Sequence, residues 1–304
     1  STAGIWQKTK TEGFQGCCHT KNARNICIMK LTLGFSPCPN DTFIFDALVN
    51  NKIKHDFSFD ITIADVEELN RLALDGKPDI TKMSYHAYAC AASQYLVCES
   101  GSALGRGNGP LFVSKMKVYP DEVPFLKIAI PGEYTTAAFL LKYAFPTIKK
   151  PDVYLFSDIE DVVLSNETDA GVLIHEGRFT YKDKGLRLIK DLGEHWELFT
   201  KQAIPLGCIA INRNLPEDIR RSFSTALKDS ILFATANPKS SHDYVKQYAQ
   251  EQAEEITGKH IELFVNDYTV ALGEDGRNAV NFFLNETKRL KVVETLPEKI
   301  FNKS

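Results

Sequence analysis

The sequence has no apolar run of about 20 residues, the length that a membrane-spanning helix needs. It also has no basic block, no RNA-binding or zinc-finger spacing, and a formal net charge of -3, so no nucleic-acid partner is expected. Near the start there is no apolar segment typical of a secretory signal. We therefore predict a cytoplasmic protein that neither enters a membrane nor binds nucleic acid, and whose partner is a small molecule.

Cysteine is present in an odd number, seven, and the residues are scattered along the chain. This usage is typical of reduced thiols in a reducing compartment rather than of a disulfide framework. Cys17, Cys18 and His19 form a cluster, but adjacent cysteines lack the Cys-x-x-Cys spacing of zinc sites, so no metal site is predicted there. Cys38 stands between two prolines. A structural role is favoured for it, because no base is evident nearby in the sequence. A role as a nucleophile remains open.

Strand-like and helix-like segments alternate along the chain, which predicts an α/β fold. Residues 57–63 read as a strand, 66–75 as a helix ended by Gly76, and 170–176 as a strand that ends near a histidine. Long helical patterns cover 216–236, 240–256 and 259–292, the last of them broken near Gly273–Gly276. Residues 1–28 lack a clear period and are interpreted as a leader or extension outside the core.

The length of 304 residues is enough for two domains. A glycine-rich stretch at 101–109 and the strand-like segment 204–214 are the candidate hinges. We therefore predict a discontinuous first lobe, residues 29–112 and 206–304, and a second lobe, residues 113–205. Two such lobes with mixed, mostly parallel sheets and a ligand cleft between them are the architecture of type 2 periplasmic-binding proteins.

Four polar loops fall where a strand runs into a helix, at 36–42, 81–85, 132–136 and 174–181. Ligand sites of α/β folds form at such junctions, because helix N-termini present backbone N–H groups to anions and polar ligands. In the first loop, Asn40, Asp41 and Thr42 are also expected to cap a helix. For Ser84 and Thr135 plain helix capping is an equally good explanation. The glycine-rich stretch lacks the phosphate-loop pattern and is interpreted as a flexible crossover.

His175 is the strongest single candidate for chemistry, because it ends the apolar segment AGVLI and should face the cleft. Histidine is the usual proton-transfer residue near neutral pH. A structural histidine, hydrogen-bonded to Glu176 or to backbone, is the competing explanation. Arg106 and Arg178 are interpreted either as clamps for a carboxylate or as solvated charges.

Taken together, LGFSPCPNDTFIFDAL, ITKMSYHAY, SGSALGRGNGP, PGEYTTAAFLL, AGVLIHEGRFTY and PLGCIAINR resemble the 1,4-dihydroxy-6-naphthoate synthase family of futalosine-dependent menaquinone biosynthesis. The resemblance runs from about Met29 to about residue 290. It implies a lyase that converts cyclic dehypoxanthine futalosine to 1,4-dihydroxy-6-naphthoate and dihydroxyacetone by base-initiated elimination and aromatisation, with neither cofactor nor metal.

The resemblance also implies roles for particular residues. His175 matches the family's proton acceptor. The matching substrate contacts are Lys82, Met83, Ser84, Thr135 and Thr136, and the SPCPNDT motif adds Asn40, Asp41 and Thr42. Two other classes remain open: a non-catalytic solute-binding protein, and the sister chorismate dehydratase of the same pathway. The oligomeric state is not fixed by the sequence.

Overall fold

The computed structural model describes residues 28–175, 177–249 and 253–302 of the chain. The predicted extension, except for residue 28, and Glu176 lie outside the described residues, as does the Cys17-Cys18-His19 cluster. Within the described part, no helix is both long enough and apolar enough to cross a bilayer.

Strands and helices alternate along the described chain. The strands are β1 (Met29–Phe35), β2 (Phe57–Ile63), β3 (Ile80–Ser84), β4 (Tyr95–Cys98), β5 (Ala103–Gly105), β6 (Leu111–Ser114), β7 (Ile128–Ile130), β8 (Asp152–Val153), β9 (Ala170–Leu173), β10 (Arg187–Asp191), β11 (Ile204–Asn212) and β12 (Phe301–Asn302). The helices are α1 (Pro39–Val49), α2 (Val66–Leu74), α3 (Tyr85–Ala91), α4 (Thr136–Ala144), α5 (Ile159–Leu164), α6 (Gly177–Thr180), α7 (Leu192–Thr200), α8 (Glu217–Ala236), α9 (His242–Tyr248), α10 (Glu254–Phe264), α11 (Asp267–Val270) and α12 (Gly273–Arg289).

The strands form two sheets, each of which is the centre of one lobe. In the first sheet the strand order is β12-β4-β11-β3-β1-β2, and β5 pairs with β11. The order in the second sheet is β10-β6-β9-β7-β8. We call the parts built on these sheets lobe 1 and lobe 2. Strands β6 to β10 are consecutive in the chain, and β11 then returns to the first sheet.

The two lobes also share an apolar interface on the side of α3, α4, α7 and α12. Phe139 of α4 and Phe283 of α12 lie 4.6 Å apart between ring centroids, and Trp196 of α7 lies 5.6 Å from Phe283. All three side chains are buried in one cluster that contains residues of both sheets. This packing joins the lobes along one side and leaves the strand-to-helix junctions to form a cleft.

The mixed character of the sheets is confirmed, but the expectation of mostly parallel pairing is wrong. Strands β1, β2 and β3 pair in parallel, as do β7, β8 and β9. The returning strand β11, however, is antiparallel to β3, β4 and β5. Strand β6 likewise runs antiparallel to β9 and β10. The antiparallel pairs involve β6 and β11, the strands next to the two crossings between the lobes. A chain that leaves one lobe and later returns to it passes between the lobes in opposite directions.

Three predicted element boundaries are also corrected. The strand predicted over 170–176 ends at Leu173, because His175 has a positive φ of 55° that turns the chain away from the sheet. The helix predicted over 259–292 is interrupted earlier than expected, since Asn266 caps the short helix α11. The helix predicted over 240–256 ends at Tyr248, and a separate helix begins at Glu254.

Candidate active site

One cavity lies between the two sheets, with an empty volume of about 680 Å³. All four predicted segments contribute residues to its wall. Three of them follow a strand that ends at the cleft, but the predicted loop at 81–85 is wrong, because residues 81–84 belong to strand β3 itself. From the predicted set, the residues that line it are Asn40, Asp41, Lys82, Ser84, Thr135, Thr136 and His175. This predicted set alone brings together residues that are up to 135 positions apart in the sequence.

A buried ion pair forms the lobe 1 wall of this cavity. The Lys82 ammonium group donates to the carboxylate of Asp41, and both side chains are almost fully buried. Ser36 Oγ also donates to Asp41, at 2.7 Å, and Asn40 Nδ2 donates to it at 2.9 Å. These three donors from the protein hold the Asp41 carboxylate in one orientation at the cavity wall.

The helix after this loop begins differently from the prediction. Cys38 is the N-cap, and Pro39 occupies the first helical position, where its lack of an N–H costs nothing. Asn40, Asp41 and Thr42 therefore lie in the first turn of α1 and do not cap it, which corrects the expectation. Thr42 donates its hydroxyl to the Cys38 carbonyl at 3.1 Å and does not line the cavity.

His175 lies on the lobe 2 side of the cavity in a strained backbone conformation. A positive φ is uncommon for a residue other than glycine and costs about 1 kcal/mol or more. The ring faces the cavity and keeps some exposed surface, but it lies deep between the lobes, where its charged form is poorly solvated. This burial lowers the pKa of His175 to about 4, although nearby Asp41 opposes the effect. The imidazole is therefore neutral at pH 7 and able to accept a proton.

Cys38 contacts this histidine, which the sequence alone did not suggest. Its Sγ atom lies 3.5 Å from both Nδ1 and Nε2 of His175, a residue 137 positions away. A sulfur atom at this distance from both nitrogens would clash with Cε1 if it lay in the ring plane, so it packs against the face of the imidazole. No base is near Cys38 in the sequence, but chain folding brings His175 into contact with it.

Two more rings enclose His175. Phe156 packs edge-on at 4.9 Å between ring centroids, and His260 stacks at 5.9 Å. His260 is fully buried, and burial holds its pKa well below the usual value. Since Asn40 Nδ2 donates to Asp41, its Oδ1 atom accepts from His260 Nε2 at 2.9 Å. His260 is not among the residues that the sequence predicts for the site.

Ser84 belongs to a chain of buried polar groups that crosses between the lobes. Its backbone N–H donates to Asn70 Oδ1 at 2.9 Å, and Asn70 Nδ2 donates to Ser84 Oγ at 3.2 Å. Ser84 does not cap α3 with its side chain. Glu67, next to Asn70, accepts from the backbone N–H groups of Glu133 at 3.0 Å and Tyr134 at 3.1 Å in lobe 2. A carboxylate from lobe 1 therefore bonds directly to the loop that precedes α4.

Thr135 and Thr136 place the start of α4 at the cavity. Thr135 caps this helix, since its Oγ1 atom accepts from the Ala138 N–H at 3.2 Å, so the capping explanation holds for this residue. The Thr136 hydroxyl donates to the Leu206 carbonyl in lobe 1 at 2.7 Å. Thr135 also donates its hydroxyl to the Gly132 carbonyl at 2.8 Å. Both hydroxyl hydrogens are thus used within the protein, and the helix start offers a ligand mainly backbone N–H groups.

Met83 and the two candidate arginines lie differently from expectation. The Met83 side chain points into the apolar core and does not line the cavity. Arg106 lies at the surface near Glu197 and donates to the Lys201 carbonyl, outside the cavity. Arg178 lines the cavity, but its guanidinium group donates to two backbone carbonyls, of Gly107 and Gly109, both at 2.8 Å. Neither arginine is placed as a simple clamp for a carboxylate.

The comparisons with known proteins agree on one family. The family model described as Menaquinone biosynthesis matches residues 31–289. A curated protein of Thermus thermophilus named 1,4-dihydroxy-6-naphthoate synthase is 40% identical over 272 residues, which are 89% of this chain and 98% of that protein. One of Streptomyces coelicolor with the same name is 35% identical over 271 residues, 88% of this chain and 95% of the relative.

Solved structures agree on the fold. A crystal structure of an Archaeoglobus fulgidus protein is 35% identical, with a TM-score of 0.81, and the match covers 86% of this chain and 98% of that one. The alkanesulfonate-binding protein of Xanthomonas axonopodis pv. citri is 12% identical, with a TM-score of 0.64, covering 90% and 96%. The second likeness concerns the fold alone, and it confirms the predicted periplasmic-binding-protein architecture.

Proposed function

The chain belongs to the menaquinone biosynthesis family, and from this premise we propose that it is a 1,4-dihydroxy-6-naphthoate synthase. Its substrate would be cyclic dehypoxanthine futalosine, and its products the naphthoate and dihydroxyacetone. As a biosynthetic enzyme of this kind it would act in the cytoplasm. The observation that carries the proposal is a neutral histidine, His175, facing a cavity that residues of both lobes enclose.

We assign His175 the role of the base that removes the first proton. The ring is neutral at pH 7, and its orientation is fixed by contacts with Cys38, Phe156 and His260. A positioned base contributes about 10²- to 10⁴-fold to a rate. Elimination of the three-carbon fragment and aromatisation of the ring then consist of bond cleavage and proton transfers. The lowered pKa of His175 makes its protonated form a strong acid, so the imidazolium would readily give the proton up again.

The remaining predicted residues would hold the substrate. The start of α4, at Thr135 and Thr136, presents backbone N–H groups and the positive end of a helix dipole to a carboxylate. On the opposite wall, Asn40, Asp41, Lys82 and Ser84 form a preorganised polar surface. Enclosure between lobes would exclude water from the reacting atoms. Met83 and Thr42 would act indirectly, by packing behind the residues that touch the ligand.

The direct experiment is incubation of the purified protein with cyclic dehypoxanthine futalosine, with the naphthoate followed by absorbance and the released dihydroxyacetone measured separately. We expect the two products in equal amounts without any partner protein. A well-folded protein that binds the substrate without product formation would be a solute-binding protein instead. Dehydration of chorismate by the same preparation would identify the sister enzyme of the pathway.

A further inference from the structure

Asn108 is a buried amide that faces the cavity without a protein partner. Its side chain is 2% exposed and lines the cavity wall. Neither its Nδ2 nor its Oδ1 atom finds a hydrogen bond among residues 28–175, 177–249 and 253–302. The other buried asparagines Asn40, Asn70 and Asn302 are all bonded. Because buried polar groups are nearly always paired, an amide left open toward a cavity points to a ligand.

The segment around Asn108 is held in place from both sides. Arg178 of lobe 2 donates to the carbonyls of Gly107 and Gly109, the residues immediately before and after the asparagine. The Gly107 N–H in turn donates to Glu197 Oε1 at 2.7 Å. Because the guanidinium group is planar and donates two parallel hydrogen bonds, it fixes both the distance and the angle between Arg178 and the two carbonyl groups. The backbone that carries Asn108 is therefore fixed before a ligand arrives.

Space for the amide comes from Gly105, at the end of β5. A Cβ atom added at Gly105 would lie 2.7 Å from Asn108 Nδ2, which is closer than real contacts allow. The absence of a side chain at residue 105 lets the Asn108 amide lie across the strand and reach the cavity wall. Together with the Arg178 fork, this makes a built site rather than an accidental exposure of one amide.

The chemistry of the amide indicates which part of a ligand it would bind. The NH₂ group donates, and the carbonyl oxygen accepts, so a complete set of partners must both accept and donate. A carboxylate can satisfy only the NH₂ group, because an ionised carboxylate has no hydrogen to give. Two adjacent hydroxyl groups of a ligand can satisfy both the NH₂ group and the carbonyl oxygen, because each hydroxyl can donate and accept.

We propose that Asn108 binds the hydroxyl groups of the three-carbon portion of the substrate, the portion released as dihydroxyacetone. This proposal rests on the proposed function and names the part of the substrate that the crossover segment recognises. Asn108 is then a binding residue, and Arg178 is the positioning residue that holds it. Sequence interpretation treated the segment only as a flexible crossover.

The test uses Asn108→Leu, which keeps the approximate shape and removes both hydrogen-bonding ends. We expect KM to rise about 10- to 100-fold, because a substrate hydroxyl would be left without a partner, while kcat changes less. The melting temperature should be unchanged or higher, since an unpaired buried amide is lost. The matched control is Asn302→Leu, which removes a buried amide bonded to Ser224 and far from the cavity. It should lower the melting temperature and leave KM unchanged.

Product inhibition shows which part of the substrate Asn108 binds. In Asn108→Leu, inhibition by dihydroxyacetone should weaken while inhibition by the naphthoate stays as in the wild type. Equal weakening of both, or a wild-type KM, would overturn the assignment and leave the proposed function intact. Absence of turnover by the wild type would instead refute the proposed function, and the assignment of Asn108 with it.

The positioning role of Arg178 is tested with Arg178→Lys, which keeps the positive charge but removes the pair of hydrogen bonds to the Gly107 and Gly109 carbonyls. Alone, this substitution should raise KM, as Asn108→Leu does. Added to Asn108→Leu, it should have little further effect, because both changes remove the same interaction. Fully additive effects would show that Arg178 acts independently of Asn108.

Discussion

At the scale of single residues, His175 combines a strained backbone with an imidazole that stays neutral. Strain of this kind persists only where the surroundings hold it, and it is most common at functional sites. Here Cys38, Phe156 and His260 hold the ring, and the positive φ turns it out of the strand direction into the cavity. The strained conformation is thus what delivers the base to the cavity.

The lowered pKa of His175 predicts an unusual pH profile for kcat/KM. A base must be unprotonated to act, so activity is lost when the pH falls through its pKa. Because this pKa is about 4 rather than near 6.5, activity that depends on His175 should stay level from pH 7 down to about 5. Initial rates over this range, with circular dichroism as a check on folding, test the expectation. An acidic limb near pH 6.5 in a folded protein would contradict it.

Cys38 is expected to support the base and not to attack the substrate. It is buried and does not line the cavity, although its sulfur contacts His175. We predict that Cys38→Ala keeps kcat within about 10-fold of the wild type, since it removes one side of the packing around His175 and no reacting atom. A nucleophile would instead lose most of its activity on the same substitution. Steady-state kcat, with the melting temperature as control, distinguishes the two.

The sequence predicts much of the site at this scale, for a simple physical reason. Ser84 ends a strand, and His175, Thr135 and Asp41 follow strands. The ends of neighbouring strands meet at one edge of a sheet. The contacts of Cys38 with His175 and of Asn40 with His260 could not be predicted in this way. They join residues 137 and 220 positions apart, whose side chains meet only because of the relative placement of whole helices.

At the scale of secondary-structure elements, the segment that leads from lobe 1 into lobe 2 lies against the start of helix α7. Gly109, between β5 and β6, approaches Gly193, at the start of α7. A Cβ atom added at Gly193 would lie 2.7 Å from the Gly109 Cα atom, and one added at Gly109 would lie 2.3 Å from the Gly193 Cα atom. Two backbones can be this close only if neither carries a side chain.

We therefore predict that Gly193→Ala forces helix α7 and the Gly109 segment apart and destabilises the protein by about 1–3 kcal/mol. The displaced segment also carries Asn108, so KM should rise as well. Gly258→Ala is the matched control, because that glycine lies in helix α10 with no atom within 4 Å of the added Cβ. It should leave KM unchanged and the stability equal or higher. Urea unfolding and substrate kinetics measure both effects, and equal stabilities of the two variants would refute close packing between α7 and the Gly109 segment.

Most elements follow from the hydrophobic pattern, whereas their directions do not. The period of apolar residues predicts β2, α2 and α8 closely, because each buries one face against a neighbour. The antiparallel direction of β11 depends on how the chain returns from lobe 2, which no local pattern records. The early end of β9 depends on one backbone angle at His175.

At the scale of the whole molecule, three histidines, one fully buried and two half-buried, link folding to pH. Burial lowers the pKa of His86, His175 and His260 below the ordinary value of 6.5. In the unfolded chain these side chains take up protons as the pH falls below about 6.5, while in the folded protein they do not until lower pH. Their contribution to stability is thus complete above about pH 6.5 and is lost as the pH falls toward the folded-state values.

We predict that the melting temperature of the wild type falls between pH 7.5 and 5.5, and that it falls less in His260→Gln. The variant loses ring stacking and is less stable at pH 7.5, but it has one imidazole fewer to protonate on unfolding. The difference in melting temperature between the two proteins should therefore shrink as the pH is lowered. A constant difference over this range would contradict the proposed link.

The central claim is that His175 starts the reaction in a cavity that other residues shape for binding. Its most direct test is a single-turnover measurement with His175→Gln and cyclic dehypoxanthine futalosine, with enzyme in excess, alongside the dissociation constant from calorimetry. We predict a dissociation constant within about threefold of the wild type and a single-turnover rate at least about 10²-fold lower. A wild-type rate in this variant would contradict the assignment of His175 as the base.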